Sequence, residues 1–106
     1  MNKTDYMEML FAIDSVYTSR IPLILSWENG FKIKCLPFVG VEQSSMEPED
    51  EGYYGEYYTV VQIIETLGQG LDSSVPVFNG YVEISLLNVP QKIEMEDGTV
   101  LWTRDK

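Results

Sequence analysis

The chain has 106 residues, with 17 acids against 7 cations and no histidine, giving a net charge of −10 at neutral pH. That balance excludes a surface built to neutralise phosphates, which needs Lys and Arg in number. Without histidine, and with Cys35 as the single cysteine, Ser-His-Asp and Cys-His catalysis, an ordinary zinc site and an internal disulfide are all excluded.

One domain spanning 1–106 is expected at this length, and 44% apolar residues suffice for a core without metal or disulfide support. No secretory leader is read at the N-terminus, where acids stand in place of an apolar stretch, and no run reaches the roughly 20 apolar residues of a membrane span. The expected location is the cytoplasm.

The first predicted element is an amphipathic helix at about 4–17. Thr4 is placed to cap it, and Asp5 and Glu8 suit the positive end of its dipole. Tyr6, Leu10, Ile13 and Tyr17 recur at helical spacing, and Met9 and Val16 widen the stripe. A hairpin follows at about 21–38. Asn29-Gly30 marks its turn, since both residues tolerate positive φ. Phe31, Ile33 and Cys35 alternate with Lys32 and Lys34, so one face is buried and the other is wet. Pro37 ends this strand or marks it as an edge. Cys35 reads as a small buried hydrophobe.

An acidic loop is expected at about 42–55. Glu47, Glu49, Asp50 and Glu51 put four acids within five residues, around Pro48, and such a stretch cannot build a core. Residues 57–66 satisfy both periodicities. β-Branched Val60, Val61, Ile63 and Ile64 favour a strand. Gly68 to Ser74 reads as a flexible connection. A further strand is expected at 80–88, with Val82, Ile84 and Leu86 alternating against their neighbours. A second hairpin is expected at 92–103, turning at Asp97-Gly98. The expected fold is α+β: an N-terminal helix packed on a strongly bent antiparallel sheet of five or six strands, or a small open barrel.

Between Lys34 and Lys92 there is no cation, yet the span holds nine carboxylates. Within it, acids stand beside aromatics: Glu47, Glu49, Asp50, Glu51, Tyr53, Tyr54, Glu56, Tyr57 and Tyr58. Tyrosine gives large contact area at low entropic cost, and neighbouring carboxylates can pair with a partner's Lys or Arg and steer its approach. These nine residues are the expected partner-binding set. The four loop acids also offer hard oxygen ligands to Ca²⁺, but their spacing does not match the twelve-residue helix-flanked loop. A solvated loop is expected, with no metal and no cofactor.

The expected function is a non-catalytic acidic domain that binds a basic protein, with no direct contact to nucleic acid or membrane. Its specific forms are an immunity protein against a basic nuclease toxin and an inhibitor that imitates nucleic acid. The alternative is a small-ligand or accessory domain with a pocket lined by Trp27, Phe31, Phe78 and Trp102. The oligomeric state is open.

Overall fold

The computed structural model describes residues 3–45, 47, 49–51, 55–69 and 77–104. Helix α1 (Lys3–Asp14) precedes seven strands: β1 (Leu23–Ser26), β2 (Phe31–Pro37), β3 (Glu42–Gln43), β4 (Tyr57–Gln69), β5 (Tyr81–Ile84), β6 (Lys92–Met95) and β7 (Val100–Thr103). Every pairing is antiparallel. The strand order is β3-β4-β2-β1-β6-β7, with β5 also paired to β4. The sheet curls into a half-barrel with the helix in its hollow.

Two irregularities in the β2–β4 ladder favour that curl. Lys34 faces Glu65 while Cys35 faces Ile63, and Lys32 faces Gly68 while Ile33 faces Thr66. Ile64 and Leu67 are therefore extra residues on β4. Such bulges bend a strand and increase its right-handed twist.

The core fills the concave side. Met9, Leu10 and Ile13 of α1 are fully buried, with Tyr6 and Val16 nearly so. They meet Leu23, Leu25, Ile33, Cys35, Val61, Val82, Ile84, Ile93 and Trp102, which strand alternation turns to the same face. The apolar stripe read from the sequence is thus core packing, except that Tyr17 is only half-buried.

Several boundaries differ from the sequence reading. The helix includes Lys3, so Thr4 lies inside its first turn and does not cap it. It ends at Asp14, three residues early, because the chain tightens: the Tyr17 N–H bonds the Asp14 carbonyl at 3.0 Å. Arg20 then closes the segment with φ 53°, donating to the Val16 carbonyl at 2.9 Å.

Both hairpins form, with three-residue loops of the same construction. In the first, the Gly30 N–H bonds the Trp27 carbonyl and the Trp27 N–H bonds the Phe31 carbonyl. Asn29 Oδ1 accepts the Phe31 N–H at 3.0 Å. The second repeats this with Gly98 to Met95, Met95 to Thr99, and Asp97 Oδ1 accepting the Thr99 N–H. Only the glycines take positive φ, 94° and 92°, so Asn29 and Asp97 act as side-chain acceptors rather than left-handed residues. The Thr99 N–H holds the Asp97 carboxyl below its ordinary pKa.

β2 is a central strand between β4 and β1, so Pro37 ends it without marking an edge. β3, inside the expected acidic loop, is the seventh strand. β4 is a strand throughout and runs to Gln69, so Gly68 and Gln69 belong to the ladder and not to a connection. Residues 70–76 lie outside the described residues. β5 stops at Ile84, because the Asn88 N–H bonds the Ser85 carbonyl and the Ser85 hydroxyl accepts the Leu87 N–H. That turn leaves Leu86 exposed, against the expected alternation.

Candidate protein-binding surface

The described members of the acid–aromatic set lie on the segment between β3 and β4 and on the start of β4. Glu42 pairs with Tyr58 and Gln43 with Tyr57. The Ser44 N–H donates to the Glu56 carbonyl at 2.7 Å, which brings Glu56 back beside the loop. Tyr57 packs against the core from its edge, and Tyr58 is half-buried. Glu42 and Glu56 are exposed, as are Glu47, Glu49, Asp50 and Glu51. Tyr53 and Tyr54 lie outside the described residues.

One of the loop acids has a local task that the sequence reading missed. The Glu47 N–H donates to Asp50 Oδ2 at 2.8 Å, and the Asp50 N–H returns a bond to the Glu47 carbonyl at 2.9 Å. Asp50 thus pins a tight turn that presents its neighbours. The signal was present in the sequence as an acid three residues after Glu47, with Pro48 between them.

The cation-free run is divided by the fold. β4 carries Glu65 into register with Lys34 on β2. Lys34 also contacts Glu96 at 2.8 Å, and that hydrogen bond, with the nearby negative charge, raises its pKa. Lys92 contacts Glu94 at 3.5 Å. The sheet's lysines therefore sit among acids on β2 and β6. From Tyr58 to Glu65 is seven residues of β4, or roughly 23 Å of strand at about 3.3 Å per residue. That stretch of β4 lies between the ladder with β3 and the register with Lys34.

The four aromatics proposed as a pocket do not share one. Trp27 is buried and tilts against Phe31, with ring centroids 5.4 Å apart. Phe78 is 77% exposed. Trp102 lines a groove between α1 and β7 whose described lining includes none of the other three. The reason is topological: Trp27 and Phe31 flank the first hairpin loop, while Phe78 precedes β5. Cys35 is fully buried, and burial pushes its thiol up to about 12, so it is no nucleophile at neutral pH. Among the described residues no three acids or thiols gather as a metal-ligand set, and no helix is long and apolar enough to cross a membrane.

No curated protein and no solved structure matches the chain. A family model does match, and it covers residues 4–106, nearly the full length. The chain belongs to the family described as cognate immunity protein YxxD.

Proposed function

We propose that this immunity protein neutralises a basic toxin, and that the acids around β3 and the start of β4 hold it. Membership of a cognate immunity family supports a toxin protein as the partner and action by binding rather than by catalysis. The charge of that partner is our inference. What supports it is that Glu42, Glu47, Glu49, Asp50, Glu51 and Glu56 are all exposed and lie in one cation-free segment running from β3 to the start of β4. Read as a sequence pattern, Tyr-x-x-Asp has no literal copy in the chain. Tyr53-Tyr-Gly-Glu56 keeps an aromatic and an acid at that spacing, within the same set. A basic nuclease is the natural toxin class, since a surface of spaced carboxylates can occupy sites meant for phosphates.

The test is affinity purification from the native host at low salt, with elution along a salt gradient. A single basic protein released at moderate salt is the expected result, because screening weakens contacts between exposed charges. A partner whose retention ignores ionic strength would remove the electrostatic reading while leaving the immunity role in place.

A further inference from the structure

We propose that the outer face of the sheet around Phe38, Phe78 and Tyr81, with Glu83 beside them, docks an arginine-bearing surface of the cognate toxin. This rests on the reading of the partner as a basic toxin, and it gives that partner a contact of different chemistry from the loop acids. Register brings these residues together. Tyr81 of β5 pairs with Gln62 of β4, which pairs with Leu36 of β2. One row along, Glu83 pairs with Val60, and the Phe38 N–H bonds the Val60 carbonyl at 2.9 Å. The alternate residues Thr59, Val61, Val82 and Ile84 are fully buried on the core side, so the first set faces outward.

Phe78 joins this face through a tight hairpin that the sequence reading missed. Phe78 and Tyr81 exchange both backbone bonds at 2.9 Å around Asn79 and Gly80, whose φ values are 52° and 82°. Positive φ at both residues is the mark of the two-residue loop that Asn-Gly favours. The Ile63 N–H ties the turn to β4 through the Gly80 carbonyl at 2.8 Å. Directly opposed residues share a face, so Phe78 stands beside Tyr81. The Tyr81 ring also packs on Phe38, with centroids 4.6 Å apart. Phe78 is 77% exposed and Phe38 47%. Apolar residues scattered singly on a surface need no explanation, but a contiguous set marks an interaction site. Aromatics held rigid by register lose little entropy on binding.

The charge pattern selects the occupant. From Cys35 to Gln91 the chain has no cation. Any neighbour of this face within that span is therefore neutral or negative. Lys34, two residues before Leu36, is held by Glu96 at 2.8 Å. Glu83 is exposed, yet its neighbours withdraw enough water to raise its carboxyl's pKa. A cation beside it relieves that cost. Tyr81 and Glu83 stand two residues apart on one side of β5, about 7 Å along the strand. A guanidinium can lie on an aromatic ring and bond a carboxylate at once, which a strongly hydrated ammonium does less well. Two residues from Val60 along β4, Tyr58 and its partner Glu42 share the face and carry it toward the loop acids. A second copy of this chain would instead bring more carboxylates against Glu83 and Glu42.

The experiment takes the toxin recovered by the purification above, re-expressed, and measures its affinity at low and high salt. The variants are Phe78→Ser, Phe38→Ala, Glu83→Gln, a four-acid variant (Glu47→Gln, Glu49→Gln, Asp50→Asn, Glu51→Gln), and Phe11→Ser as an exposed aromatic change on α1. Phe78→Ser and Phe38→Ala should each weaken binding about tenfold or more at both salt concentrations. The losses from Glu83→Gln and the four-acid variant should shrink as salt rises. Phe11→Ser should bind as the wild type does. With Phe78 replaced by p-benzoylphenylalanine, irradiation of the complex should cross-link a toxin peptide that contains arginine. If Phe38→Ala lowers the thermal midpoint, Phe78→Ser and the cross-link decide. Full affinity in both aromatic variants would overturn the proposal. So would a cross-link to a second copy or to a toxin segment without arginine, or a matching loss in Phe11→Ser. Loss in the four-acid variant alone keeps the acidic surface and removes this face. Loss in the aromatic variants alone keeps this face and removes the loop acids from the interface.

Discussion

Trp27 donates its indole N–H to Asn88 Oδ1 at 3.0 Å, a buried bond that joins the first hairpin to the turn after β5 across 61 residues of sequence. Asn88 then donates through Nδ2 to the Glu83 carbonyl at 2.8 Å. One amide thus satisfies a core tryptophan and holds the chain where β5 stops. Asn88→Ala would strand the Trp27 N–H in the core, and should cost about 1–3 kcal/mol in urea unfolding. A loss within a few tenths would mean that the indole finds another acceptor.

Gly68 and Gly98 separate two demands on glycine. A Cβ at Gly68 would stand 2.7 Å from the Gly30 carbonyl oxygen, so β4 and the first hairpin loop would have to part. Around Gly98 there is open space, but its φ is 92°. Gly98→Ala should lose about 1–2 kcal/mol from backbone strain alone. Gly68→Ala should lose more, and should slow refolding if that contact forms early. Equal losses from the two variants in matched denaturation curves would argue against a close approach at Gly68.

Arg20 is a non-glycine residue held at φ 53°. That conformation costs an ordinary residue about 1–2 kcal/mol, and glycine's extra unfolded-state entropy returns roughly 0.5–1. Arg20→Gly is therefore expected to raise stability by about 0.5–1 kcal/mol. A fall in the unfolding midpoint would show that the side chain supports the structure in a way that outweighs the strain.

Cys35 should be silent to thiol reagents in the folded protein and react at once on unfolding. Its pKa, pushed up to about 12 by burial, also fixes a sign. The unfolded thiol ionises near pH 9 while the folded one stays protonated, so stability falls as pH rises from about 9 toward 12. Lys34 acts in the same direction. Its raised pKa makes a contribution that is complete below the ordinary lysine value and lost as pH climbs through the folded one. In Cys35→Ala the alkaline decline should be shallower than in the wild type. Identical slopes would assign the whole decline to other groups.

Local chemistry was enough to determine much of this protein. The stripe Tyr6, Met9, Leu10, Ile13 and Val16 named the buried face of the helix, because side chains three and four apart must share a face. Asn29-Gly30 and Asp97-Gly98 located both turns, although the loops have three residues and Asn29 and Asp97 serve as side-chain acceptors rather than taking positive φ. The count of acids gave the charge, and the absence of histidine ruled out whole classes of chemistry. Other features depended on residues far apart in the chain. Residues 57–66 fitted both periods; β-branched Val60, Val61, Ile63 and Ile64 favoured the strand, and pairing with β2, β3 and β5 fixes it. The stop at Ile84 comes from Ser85 and Asn88, and Asn88 is fixed by Trp27. Glu65 lies in a run without cations, yet the β2–β4 register sets it opposite Lys34. The groove beside β7 exists because the sheet curls around α1. Periodicity and turn chemistry are written in neighbours, whereas register, edges and charge proximity arise only when distant segments pair.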